Sequence, residues 1–293
     1  MLVPGQSNFL LASDAPIDYN FSSRSPEITE TNEFVNPNYM DGELMRFHAD
    51  QLLNQLDPDA PVNKNFRPKA YFTQISNWLS WYGLNPEKIF IPLAIFFVLV
   101  LIILRTPDKA MFSAGFTASA TEVIVLLVFQ VIFGYLYQSI GLLIAVFMGG
   151  LALGALLSKS RFIRINKATF VLNQSAIAFV SLIVPVFILL EGSGNFHYFI
   201  ATPVLYLTML LSGTLTGLQF TLSWKLKSDQ GIGGAASAYG YDLLGSAAGA
   251  ILAVALIIPW LGLVWSGIFL CGLNLLTSFL ILTGRNKLRI SQP

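Results

Sequence analysis

The sequence predicts a mainly α-helical membrane protein: a bundle of about seven spans with a small α/β head at its N-terminus. Three observations lead there. Hydrophobic residues make up 54% of the 293 and charged residues only 11%, with a mean hydropathy of +0.64; a soluble domain carries about 25% charged residues. The apolar residues fall into blocks of about 20, the length a helix needs to cross a bilayer. The charge also splits along the chain. Residues 1–87 hold five Lys/Arg against eleven Asp/Glu, and residues 88–293 hold twelve against five. The split divides an extramembrane head, 1–87, from a membrane bundle, 88–293.

Within the head, "SNFLLAS" (Ser7–Ser13) has the short apolar run of a buried strand. "EFVNPNYM" follows as strand and turn. "DGELMRFHADQLLNQL" is an amphipathic helix: Asp41 is its N-cap, and Leu44, Phe47, Gln51/Leu52 and Leu56 share a face. "AYFTQISNWLSWYG" is a second helix, and its Tyr71, Phe72, Trp78, Trp81 and Tyr82 suit a membrane interface. So few elements do not close a doubly wound sheet. The head has the content of the end of a Rossmann-like domain.

Seven spans are expected near 88–105, 111–138, 139–158, 168–191, 198–224, 237–259 and 262–284. The second and third are joined by "YQSIG", and the sixth and seventh by "PWLGL", where Pro259 and Gly262 break the helix. Basic residues follow spans one (Arg105, Lys109), three (Lys159, Arg161, Arg164, Lys167), five (Lys225, Lys227) and seven (Arg285, Lys287, Arg289). The turns after spans two, four and six carry none. The positive-inside rule puts the basic loops and the C-terminus in the cytoplasm and the head outside. No secretory signal precedes the head. Either upstream membrane segments belong to the natural protein, or one span is miscounted and the head is cytoplasmic.

Two acids lie within the spans. Glu122 sits about 11 residues into span two, near mid-membrane, with Ser119 at i−3 and Gln130 at i+8 as possible partners. It is a cation or proton site, or a protonated acid tying helices together. Asp242 shares a face with Gly245, Ser246 and Gly249, which directs it into the bundle or makes it a cap at the helix N-terminus. Asn173, Gln174, Gln219, Tyr239 and Tyr241 either line a vestibule ending at Glu122 or form separate interhelical hydrogen bonds. Pairs spaced GxxxG at Gly150/Gly154, Gly213/Gly217 and Gly245/Gly249 predict close helix packing.

Other chemistry is excluded at the level of motifs. Cys271 is the single cysteine, so no internal disulfide or cysteine-based metal cluster forms. His48 and His197 lie in different domains and make no metal or haem pair. No Lys/Arg run points to nucleic acid.

"LVPGQSNFLLAS", "VNPNYMDGELMRFHADQLL" and "NKNFRPKAY" resemble the C-terminal end of spermidine-synthase-like (aminopropyltransferase) domains. "GFTASATEVIVLLVFQVIFGYLYQSIGLLIAVFMGGLALGALLS" and "AYGYDLLGSAAGAILAVALIIPWLG" resemble that family's integral-membrane members. The resemblance implies a bacterial inner-membrane protein. It also implies that the Gly-rich turn binding the nucleotide-type donor lies before Met1. "GIGG" (Gly231–Gly234) does not replace that turn, because it sits between two membrane helices.

Three functions are therefore expected, in this order. The first is a non-catalytic subunit, without cofactor or metal, embedded in lipid beside a protein partner that carries the rest of the synthase-like domain. The second is transport of a small cation or polyamine through Glu122 and Asp242. The third is part of an aminopropyltransferase completed by another chain.

Overall fold

The computed structural model of the chain describes residues 2–3, 9–15, 17, 42–56, 59, 62–64, 66–104, 106–134, 137–160, 163–191, 198–227 and 232–283. The expected strand at "EFVNPNYM", Asp41, His197 and the basic residues after 284 lie outside these. The chain forms two compact units, Met1–Val62 and Asn63–Pro293.

The first unit holds an antiparallel pair, β1 (Leu2–Val3) with β2 (Phe9–Leu10), and helix α1 (Gly42–Asn54). β2 falls inside the expected "SNFLLAS" strand. Along α1, Leu44, Phe47 and Leu53 are exposed and Ala49 is buried, and Leu56, two residues past its end, is exposed as well.

The second unit is helical. Its elements are α2 (Lys69–Trp81), α3 (Pro86–Ile103), α4 (Thr106–Phe133), α5 (Tyr137–Leu157), α6 (Lys167–Val180), α7 (Ile183–Glu191), α8 (Tyr198–Leu226), α9 (Ile232–Leu252) and α10 (Ile258–Thr283). Residues 63–87 thus pack with the helical unit, although their composition belongs with the head.

Local chemistry sets the helix ends. Asn85 caps α3 by accepting from Glu87 N–H at 3.0 Å, with Pro86 in the first turn. Asn166 caps α6 through Thr169 N–H at 2.7 Å. Gly134, at φ 72°, ends α4. "YQSIG" is therefore the first turn of α5, not the expected link, and α4 ends five residues before the predicted 138. α6 and α7 part at Ser181–Leu182, where Pro185 has no N–H to continue the ladder. A π segment, Ala253–Ile257, joins α9 to α10 just before Pro259.

Five segments are long and apolar enough to cross a membrane: 107–133, 139–157, 167–190, 199–226 and 233–283. A sixth is added if the bent pair 73–81 and 86–100 counts as one span. The 51-residue segment would be about 77 Å long if straight, against a hydrocarbon core of about 30 Å. It is folded at Gly262, whose φ of 77° and ψ of 172° are not helical. The packing shows the fold-back. Gly249 of α9 lies against Phe116 of α4, while Asn274 of α10 donates to Thr117, the next residue along α4.

Helix directions follow from such pairs. Gly245 and Gly249 of α9 meet Phe112 and Phe116 of α4 in the same order, so α9 and α4 are parallel. Gly150 and Gly154 of α5 meet Leu210 and Thr214 of α8, so these are parallel too. At all of these glycines an added Cβ would overlap the neighbour's carbonyl oxygen, 2.5 Å away at Gly150 and nearer at the others. Gly213 and Gly217 pack back on Phe147 and Leu151. All six glycines expected to pack helices therefore stand at backbone-to-backbone contacts.

One end of the bundle collects the basic residues. Lys225 reaches Ser158 O at 3.4 Å, Lys167 reaches Leu282 O at 3.0 Å, and Lys227 pairs with Asp108. At the opposite end Leu263 N–H donates to Phe66 O at 3.0 Å, and Lys69 donates to Trp260 O at 3.3 Å. Large apolar side chains cover the perimeter, among them Phe96 and Ile102 on α3, Leu207 on α8 and Phe279 on α10.

Candidate functional site

The centre of the bundle is polar. Ser212, Thr216, Gln219 and Ser223 of α8, and Lys227 just past its end, recur every three or four residues, which places them on one helix face. All five are buried, at 5%, 3%, 0%, 0% and 7% exposure. The stripe is about 22 Å long at 1.5 Å per residue, most of the thickness of a bilayer core.

Amides tie the middle of this stripe to three other helices. Asn173 of α6 donates to Gln219 Oε1 at 2.6 Å and to Leu215 O at 2.9 Å. Gln219 donates to Gln174 Oε1 at 2.7 Å. Gln174 donates to Asn274 Oδ1 at 2.7 Å and to Ser113 Oγ at 2.8 Å. Asn274 donates to Thr117 Oγ1 at 2.5 Å and to Leu270 O at 2.8 Å. The network crosses α6, α8, α10 and α4. Each such bond in a membrane bundle contributes about 0.6 kcal/mol on average.

The hydroxyls flanking the network behave differently. A Ser or Thr in an apolar helix normally donates to the carbonyl four residues back. Thr208, Thr214 and Thr221 of the same helix do so, at 2.7, 2.7 and 3.1 Å. Thr216 Oγ1 and Ser223 Oγ, one turn to either side of Gln219, have no partner among the described residues, and neither has Asn173 Oδ1. These oxygens are buried and accept or donate no hydrogen bond among the described residues.

At the basic end the stripe finishes in an ion pair. Lys227, 7% exposed, pairs with Asp108, 7% exposed, and also donates to Ser237 Oγ at 3.0 Å. Its ammonium lies 5.9 Å from the ring centroid of Tyr241. "GIGG" runs into the first turn of α9, just before Ser237.

Glu122 and Asp242 lie apart from this stripe. Asp242 is half-buried beside Gly115: a Cβ added there would stand 2.7 Å from its Oδ1 and 3.0 Å from Ser246 Oγ. Its Oδ1 is buried with no donor among the described residues. Glu122 is seven residues beyond Gly115, roughly 10 Å further along α4. It is half-buried, Ser119 is half-buried and Gln130 is exposed. Among the described residues no hydrogen bond joins these three. Gln219 joins Asn173 and Gln174 in one cluster, Tyr239 is exposed at 56%, and Tyr241 stands beside Lys227.

Ser113, Thr117, Thr216, Ser223 and Asn274 belong to the centre and Asp108 to its basic end, and no motif in the sequence marks them. The three-and-four spacing of "SGTLTGLQFTLSWKLK" was the available signal. No group of three or more His, Cys, Asp or Glu suited to a metal occurs among the described residues. Comparison with protein-family models, with curated proteins and with solved structures returned no match.

Proposed function

We propose that the helical unit is a membrane-embedded path for a small polar solute. In this reading α3, α4, α5, α6–α7, α8, α9 and α10 make seven crossings, the basic end faces the cytoplasm, and Phe66 and Lys69 lie on the outer side. The observation that supports it is the buried stripe on α8, with hydroxyls that bond neither to their own helix nor to a neighbour. Helix glue needs satisfied partners, as Gln174, Gln219 and Asn274 of the amide network have. Unpartnered oxygens inside a bundle suit a line that water or solute enters. Transport of a cation through Glu122 and Asp242 would follow a separate route, since both acids lie apart from the stripe. It requires Asp242 of α9, beside Gly115, and Glu122, roughly 10 Å beyond Gly115 along α4, to act in succession.

The test uses single cysteines in a Cys271→Ser background, in vesicles treated with a small uncharged thiosulfonate. Only a hydrated thiol ionises and reacts. Thr216→Cys and Ser223→Cys are expected to be labelled, and Leu207→Cys, on the lipid-facing side of α8, to be inert. Inert cysteines at 216 and 223 would sink the proposal.

The exposed apolar face of α1 favours a second reading: the first unit docks on a protein partner. The resemblance to spermidine-synthase-like domains favours a partner chain of that fold. Purification in mild detergent from the native membrane is expected to recover a stoichiometric partner, and Phe47→Glu with Leu56→Glu to release it. A lone, monodisperse chain would reject this reading.

A further inference from the structure

The two glycine-packed interfaces are copies of each other. α5 (Tyr137–Leu157) and α9 (Ile232–Leu252) are both 21 residues long, and each bound of α9 lies 95 residues after the matching bound of α5. Their ends read "GLALGALL" (150–157) and "GSAAGAIL" (245–252), identical at five of eight positions. The contacts repeat with the letters. Gly150 meets Leu210 O and Gly154 meets Thr214 O; Gly245 meets Phe112 O and Gly249 meets Phe116 O. Leu210 stands 98 residues after Phe112, as Thr214 does after Phe116. The reciprocal contacts obey the same spacings. Gly213 meets Phe147 and Leu151, and Gly115, 98 residues earlier, meets Asp242 and Ser246, each 95 residues later.

The copies point in opposite directions. Asp108, at the start of α4, pairs with Lys227, just past the end of α8, so α4 and α8 are antiparallel. α5 runs with α8, and α9 runs with α4, so α5 and α9 oppose each other. α6 and α10 also oppose each other: Gln174 bonds Asn274, Ser181 bonds Gly267, and Lys167 bonds Leu282. The helices α4–α5–α6/α7 and α8–α9–α10 are thus related by a pseudo-two-fold axis in the membrane plane. Gln174 and Asn274 meet close to that axis.

The symmetry holds for the backbone and fails for the stripe. Ser212, Thr216, Gln219, Ser223 and Lys227 of α8 correspond to Ala114, Ala118, Thr121, Val125 and Phe129 of α4. The corresponding faces of α8 and α4 are therefore unlike: hydroxyl and amide on one, mostly small and apolar on the other. The ends differ as well. Asp108 and Lys227 close the basic end, and their symmetry mates are Tyr206 and Phe129, which belong to the apolar core.

Resting on the transport reading above, we infer that the α4–α8 seam is an alternating-access site for a small uncharged solute with one hydrogen-bonding edge and one apolar edge, gated by Asp108–Lys227 at the basic end and by Tyr206 and Phe129 at the other. Inverted repeats give a bundle two mirror-related arrangements of the same contacts, each open to one side, with the site at their interface. No fixed charge faces the middle of the stripe, which favours an uncharged solute over a cation or an anion. Between the ion pair at one end and the aromatic pair at the other, the stripe and its symmetry mates are amide, hydroxyl, alanine and valine.

The experiment follows Thr216→Cys labelling in the Cys271→Ser background, with an impermeant thiol quenching the reagent on one side of the vesicle at a time. Asp108→Asn weakens the basic gate. It is expected to raise labelling from the basic side roughly tenfold and to lower it from the other side, because one population grows at the other's expense. Tyr206→Ala should do the reverse. A rise without the matching fall in either variant would overturn alternating access while leaving a hydrated path. No labelling from either side in any variant would instead reject the transport reading itself. Proteoliposomes carrying the unaltered sequence are expected to admit erythritol faster than empty ones and to exclude methylammonium. Methylammonium entry that is lost in Asp242→Asn would overturn the solute class.

Discussion

Lys227→Met is expected to destabilise the bundle by about 3–5 kcal/mol, the usual result of removing one partner of a buried ion pair. The substitution leaves Asp108 in a site only 7% exposed, without the ion-pair partner it has among the described residues. Asp108→Asn alone should cost less, because the amide still offers an oxygen to the ammonium. The double substitution Asp108→Leu with Lys227→Met should recover most of the loss, since a well-packed apolar pair often matches a buried ionic one. Denaturant unfolding in detergent, run as a double-mutant cycle, checks this. A double variant whose loss is the sum of the two single losses would show that the two charges do not interact in the folded protein.

Gly154→Leu is expected to prevent stable packing of α5 on α8. Overfilling a core costs about 1–3 kcal/mol when side chains can shift aside. Here the added carbon meets backbone: Thr214 O, and Leu218 N at 2.7 Å. The helices themselves must separate, which also pulls Gly213 from Phe147 and Gly217 from Leu151. Gly149→Leu is the control. It lies five residues away on an exposed face, with nothing within 4 Å of an added Cβ. That substitution should be neutral or slightly stabilising, since leucine favours a helix over glycine by about 0.8 kcal/mol. Melting and elution profiles in mild detergent distinguish the pair. Equal behaviour would mean that the α5–α8 contact is not closely packed.

Residue periodicity made the helices legible, and the GxxxG spacing identified the glycines that sit at contacts. Helix ends were less legible because single residues decide them: Gly134 stops α4 ahead of an apolar run that gives no warning of it. The candidate site was legible only in part. A carboxylate in an apolar segment draws attention by its cost, so Glu122 and Asp242 stood out. Serine and threonine are common in membrane helices and bond to their own backbone, so Thr216 and Ser223 look no different from Thr214 and Thr221 in the sequence. Only the placed hydroxyl separates them. Asp108 was hidden for another reason: its partner is 119 residues away, and both lie at helix ends, where charge is ordinary. The repeat escaped notice because its letters survive over eight residues only, and its two spacings, 95 and 98, differ.

The glycine contacts also decide what counts as a domain inside the helical unit. α4 packs tightly on α9 and α5 on α8, so both interfaces join the first three-helix set to the second. Helices adjacent in the chain, α4 with α5 or α8 with α9, share no such seam. Phe112 must find Gly245, and Leu151 must find Gly217, across long stretches of chain. Neither half owns a core. The unit is built like an intertwined dimer whose two subunits happen to share one polypeptide, and each half takes its shape from the other.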